Sequence, residues 1–338
     1  MYTRILIVLF TLSLFLIPTA GEAGRDKFST PEKLINWINQ YRSNPEPTRV
    51  PFAVQSMHRL GLFKDLEKSG FLVGFIAGVL ADNQTEAEIL VTNMLPIPPK
   101  EQAIIVRAVA YSGLPEWRTI LQNLKPQLPM RHHLINQYLS GEKKSLKELS
   151  LDGSPDILDT LWGYYAATGF YDPVIQIITA LKWSKTKQDF QSPNWKGMMS
   201  ALSWNKDKND VERVTIGNMA KWTLASNAER DRDLIGLYKI ELESSSETVR
   251  PVLQEVIDSA ERFEADELRK DAVAAIQEVK RRNPEGKAPW STASYAGSLA
   301  ISTVCVIAGA TGHAEIAAPC IISGALYSGA VQFLNATR

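Results

Sequence analysis

The fold class that this chain predicts is all-α, and three observations carry it. Apolar residues recur at spacings of three and four through almost every segment. No alternating apolar run persists long enough to nominate a sheet. Helix-breaking positions return with a nearly fixed period. Together these point to stacked αα-hairpins, α-solenoid-like or an irregular helical bundle, closed by an apolar C-terminal helical hairpin.

The elements follow in order. Met1 to Arg4 carries one positive charge and leads into a charge-free apolar core from Ile5 to Ile17, which is a secretory signal layout. Pro18 breaks that helix, and the small residues of Thr19-Ala20-Gly21-Glu22-Ala23 suit cleavage after Ala23. Residues 1–23 are therefore expected to be a signal peptide, placing the mature chain in the periplasm or outside the cell. An uncleaved anchor fits less well, because the apolar core falls short of the ~20 residues that a spanning helix needs.

Residues 24–183 are expected to form a helical-repeat region. Ser29 or Thr30 can cap its first helix, Pro31 fits the first helical position, and Leu34, Trp37, Ile38 and Tyr41 form one face. Asn44-Pro45-Glu46-Pro47 ends it, since proline cannot continue the hydrogen-bond ladder. Helices are predicted at Phe52 to Leu60, Glu67 to Ala81 and Thr85 to Met94. Breaks then fall at Asn83, Gly113, Gly141 and Gly169, about every 28–30 residues. Pro99 and Pro155 precede Gly113 and Gly169 by the same interval, and each unit runs into an apolar helix ending at Leu124-Lys125 or Leu181-Lys182. An opening proline, a closing glycine and a return helix are the parts of an αα-hairpin. Hairpins at a fixed period must stack to bury their apolar faces.

In architecture alone, this pattern resembles the broad class of tetratricopeptide-type and related helical repeats. Leu161-Trp162-Gly163-Tyr164-Tyr165 with Ala166-Ala167-Thr168-Gly169 matches that consensus only loosely, and the period is shorter. No residue roles are carried over.

A second helical region spans 184–287. Val211 to Ala225 and Arg230 to Leu242 read as a helix pair, and Val249 to Lys280 as a long charged helix with acid-first pairs four apart, such as Asp266 with Lys270. The C-terminal hairpin occupies 288–338, where His313 and Glu315 are the only ionisable side chains of ordinary charge between Ala288 and Thr337. Cys305 and Cys320 lie symmetrically about its tip, and in an oxidising compartment they are expected to form a disulfide. Small residues spaced by four along both halves allow close helix packing inside the protein or in a bilayer. The choice between a buried hairpin and membrane association through 290–334 stays open.

Charge and motif content bound the function. The chain carries 37 basic and 37 acidic residues, so no global field attracts nucleic acid. Four histidines in no zinc spacing argue against a metal site, and no cofactor signature is present. Of the adjacent His132 and His133, one is expected on the surface and the other buried. Aromatic residues crowd between Trp162 and Trp222. Most are expected to fill the core, and Trp162, Tyr165 and Trp183 are the first candidates for a binding groove. The expected function is non-catalytic binding of another macromolecule, a protein or a cell-envelope polymer. Alternatives are a membrane-associated protein inserting its hairpin, and an all-α enzyme on a glycan or cell-wall polymer using Asp156, Asp159 or Asp172.

Overall fold

The computed structural model describes residues 28–64, 69–151, 156–186, 189 and 209–282. The expected signal peptide, its cleavage site, the C-terminal hairpin with Cys305 and Cys320, and part of the connection after Lys187 lie outside the described residues. Those residues form thirteen α-helices and no strand.

Helix α1 (Pro31–Tyr41) starts where its capping chemistry dictates: extended Thr30 accepts the Lys33 N–H at 3.4 Å and Pro31 sits in the first turn. Leu34, Ile38 and Tyr41 are buried, and Trp37 packs edge-on against Phe28, Tyr41 and Phe75 with centroids 4.9, 5.3 and 5.8 Å away. A 3-10 turn at Pro47–Arg49 leads into α2 (Val50–Arg59). Helix α3 (Gly70–Asp82) has no polar face before its last turn, so it must be enclosed on all sides; every residue from Gly70 to Leu80 is buried. There follow α4 (Ala87–Asn93), α5 (Gln102–Tyr111), α6 (Trp117–Leu124), α7 (His132–Leu139) and α8 (Asp156–Thr168).

The principal contact of α3 is with α8, far away in sequence. Glycines make it possible. A Cβ on Gly74 would lie 1.9 Å from the Thr160 carbonyl oxygen, and one on Gly163 would lie 2.0 Å from that of Phe71. Each glycine thus receives the backbone of the opposite helix, which no larger residue could do. Helices α1 and α5 pack on the α8 and α3 sides of this pair. A solenoid whose units meet only their sequence neighbours does not describe the α3–α8 contact.

Gly113, Gly141 and Gly169 adopt φ of +73°, +78° and +72° at the ends of α5, α7 and α8. These are left-handed helix-terminating positions that glycine takes without a steric penalty. Beyond them lie α9 (Asp172–Ile178), a 3-10 turn at Thr179–Trp183, and α10 (Asn209–Arg230), α11 (Asp233–Ser244), α12 (Arg250–Arg262) and α13 (Ala265–Arg282). Helix α10 packs along α13 and α12, and buried Lys221 meets Glu255 of α12 at 2.6 Å. One continuous apolar core joins both halves of the described chain.

The single helix expected from Val249 to Lys280 is two helices. Phe263 breaks it with φ +58°, its N–H bonded to the Ala260 carbonyl and the Glu264 N–H to that of Ser259. This is a left-handed helix end built without glycine. Among the described residues, no helix is long and apolar enough to cross a membrane.

Candidate functional site

The two turns closed by Gly113 and Gly169 bring together the walls of a cleft of about 590 Å³. That volume lies in the ~300–1,000 Å³ range of ligand sites. Tyr111 ends α5, and Trp117 begins α6 after the Gly113 turn. Leu161 and Tyr164 come from α8, Phe170 follows Gly169, and Asp172 and Gln176 stand one turn apart on α9. The remaining wall is the 3-10 turn Leu146–Glu148. Ser145 and Glu148 form a reciprocal capping box there: the Glu148 carboxylate accepts the Ser145 N–H at 2.9 Å and its hydroxyl at 2.6 Å. These bonds hold the Glu148 carboxyl below its ordinary range and fix the turn that carries Lys147.

The aromatic groups differ in exposure. Tyr111 and Trp117 are 7% and 8% exposed, with the Arg118 guanidinium 4.3 Å above the Trp117 ring, whereas Phe170 is 55% exposed at the rim. Tyr164 donates its hydroxyl to the Ser112 carbonyl at 3.1 Å. Burial, then the charges of Asp82 and Asp172, push it up to about 12, so it remains a donor at neutral pH. Arg107 backs the wall, 3.0 Å from Asp156 and 5.7 Å from the Tyr111 ring centroid. Burial disfavours its charge, but Tyr111 and Asp156 more than offset that, and its affinity for the proton rises.

Of the residues singled out in the sequence, Trp162 and Tyr165 are interior, at 3% and 5% exposure, and Trp183 is half-buried under Lys182, whose Nζ lies 4.6 Å from the ring centroid. None of the three lines the cleft. Tyr165 instead bonds Asp231 and stacks on Tyr171 at 6.3 Å. Asp172 does line it, while Asp156 is engaged by Arg107 and Asp159 lies beside the start of α3, near Gly70. His132 and His133 are both exposed, correcting the expectation of one buried member: α7 buries Ile135 and Tyr138, while His132, the first residue of the helix, bonds through Nε2 to the Lys125 carbonyl at 2.8 Å on the exposed side. Among the described residues, no group of three His, Cys, Asp or Glu is placed to hold a metal ion.

The cleft residues missed in the sequence are Tyr111, Trp117, Ser145, Lys147 and Gln176. The glycines marked the turns, but that the residues flanking Gly113 and Gly169 share one surface follows from the packing of the helices and not from their spacing. Comparison with family models, curated proteins and solved structures finds no match to this chain.

Proposed function

We propose that this protein is exported and works without catalysis, binding another macromolecule, a protein or a cell-envelope polymer, in the cleft between the Gly113 and Gly169 turns. The helix pairs turning at these glycines are read as stacked in an irregular bundle, with the apolar stretch 288–338 as a terminal hairpin. The observation that carries the reading is Phe170, a large aromatic left 55% exposed at the mouth of a cleft whose other rings are packed. Such a ring gains contact area only when something covers it. Lys147 and Asp172 supply charges of both signs at the same mouth, and Gln176 lies a helical turn from Asp172, so an occupant can be oriented as well as held.

Photo-crosslinking tests the proposal. A benzophenone amino acid placed at position 170 in cells should give discrete higher-mass adducts, and one at Ile240, 67% exposed on α11, should not. Absence of adducts at 170, or the same pattern from both positions, overturns it.

A further inference from the structure

The mouth of the cleft between the Gly113 and Gly169 turns holds an open ring on a fixed backbone. The Phe170 N–H donates to Thr168 Oγ1 at 3.1 Å, and that hydroxyl donates to the Tyr164 carbonyl at 2.9 Å. Tyr171 beside it is committed to the stack on Tyr165, whereas among the described residues no ring packs on Phe170. A ring presented in this way loses little freedom when a flat apolar surface covers it.

The wall beside Phe170 supplies acceptors. Asp172 and Gln176 are four residues apart on α9 and share one of its faces, and both line the cleft. Gln176 Nε2 donates to the Leu149 carbonyl at 3.1 Å, which orients the amide and leaves Oε1 to accept. The exposed Asp172 carboxylate is an acceptor only. Lys147, on the turn fixed by the Ser145–Glu148 capping box, is a donor only. An occupant must therefore donate to one wall, accept from the other and lay an apolar face on Phe170.

Charge does not select the occupant. The segments that build the cleft, residues 107–118, 142–148 and 156–176, carry five basic and six acidic residues. From the elements behind, Asp82 faces Tyr164, and Arg42, beside Gly169, is paired with Asp231. No single sign dominates, so neither a polyanion nor a polycation is favoured. The described residues contain no strand whose edge could take up an extended peptide. A bound helix would need an apolar groove for a cylinder about 10–12 Å across, and this mouth carries Lys147 and Asp172.

Resting on the binding function proposed above, we propose that the occupant is an uncharged glycan, a β-linked chain of pyranose rings with equatorial hydroxyls. Each hydroxyl both donates and accepts, so neighbouring hydroxyls can serve Asp172, Gln176 and Lys147 together. The axial C–H groups form the flat apolar face that covers Phe170.

Cellopentaose and chitopentaose, titrated calorimetrically into the full chain, test this, with a proline-rich decapeptide and polygalacturonate as comparators. Saturable binding of a neutral pentaose is expected, weakened about tenfold or more in Phe170→Ala and in Asp172→Ala, the latter for loss of a hydrogen bond to a charged group. Both side chains are exposed, so both variants are expected to fold. Binding of neither pentaose, preference for a comparator, or binding that survives intact in both variants overturns the glycan. The adducts formed by benzophenone at position 170 separate this failure from that of the binding function. Adducts that are carbohydrate, cleaved by periodate, support the glycan. Adducts that are protein overturn it and leave the cleft a binding site, and the absence of adducts overturns both.

Discussion

The Tyr165 hydroxyl donates to Asp231 Oδ2 at 2.5 Å, and Arg42 Nη2 meets the same oxygen at 2.5 Å. Three distant parts of the chain thereby converge: the end of α1, the middle of α8 and the turn between α10 and α11. Arg42 also lies over the Tyr165 ring, 5.0 Å from its centroid. Burial and the neighbouring Asp231 charge push the Tyr165 hydroxyl well above its ordinary range, so it is a donor at any working pH.

Removing the donor and removing the acceptor should therefore have different costs. Tyr165→Phe leaves Asp231 paired with Arg42 and is expected to cost about 1 kcal/mol, the net worth of one hydrogen bond. Asp231→Ala strands a buried hydroxyl as well as a guanidinium and is expected to cost about 2 kcal/mol or more. Urea unfolding of the two variants checks the order. Equal costs would mean that the three segments are held together by packing alone.

The α3–α8 contact gives a sharper contrast between two helical glycines. Gly74→Ala puts a methyl group into the Thr160 carbonyl, so the helices must separate. The expected loss is about 3 kcal/mol, as for overpacking in a core that cannot yield. Gly236, on the exposed side of α11, has nothing within 4 Å of its added Cβ. Gly236→Ala is expected to gain roughly 0.5–1 kcal/mol from helix propensity. Thermal melts of the pair should move in opposite directions.

At the turns, Gly113 and Gly169 share a left-handed backbone but not an environment. A Cβ on Gly113 meets nothing within 4 Å, so Gly113→Val should cost roughly 1–2 kcal/mol, mainly backbone strain. On Gly169 the new Cβ would lie 2.9 Å from Arg42 Cδ, displacing the residue that closes on Asp231. Gly169→Val is expected to be the more damaging, and to lose that excess in an Arg42→Ala background. A double-mutant cycle measures this directly.

These sites also show how far the sequence was legible. Pattern and punctuation announced the helices and the left-handed glycines, because both are local: a 3.6-residue period, a cap, a φ that only glycine takes cheaply. The start of helix α1 was readable to within a residue, the cap falling on Thr30 of the pair Ser29-Thr30, while the helix ends at Tyr41, ahead of Asn44-Pro45. The break at Phe263 was not, since its left-handed φ is imposed on a residue that sends no such signal, with Arg232 4.9 Å from its ring centroid. Phe263→Gly should accordingly be more stable than Phe263→Ala by about 1 kcal/mol. Nor was the cleft legible: Gly74, Gly163 and Thr160 decide which turns lie side by side, and sequence spacing does not encode contacts between helices some 80 residues apart. The crowd of aromatics between Trp162 and Trp222 was conspicuous. Trp162 and Tyr165 serve the interior, and among the described members Phe170 and Tyr171 are exposed.

Asp159 gives a prediction in pH. Burial, and then repulsion from Asp156 one turn earlier, push its carboxyl up to about 7 from an ordinary 3.8. A folded-state pKa raised above the unfolded value means that the native state holds the proton more tightly. Its contribution is then fully present below about pH 4 and is lost as the pH rises towards 7, above which the native state must carry an ill-solvated charge. A shift of this size corresponds to at most about 4 kcal/mol. Partial exposure of the side chain brings the expected loss nearer 1–3 kcal/mol, because water screens what it reaches. Asp159→Asn keeps the shape of the protonated acid and cannot ionise. Relative to the parent chain it should be nearly neutral at pH 4 and more stable at pH 8, and urea titrations at the two pH values give the difference. An Asp159→Asn effect that is the same at both would mean that the carboxyl titrates alike in the native and unfolded chains, against the raised pKa.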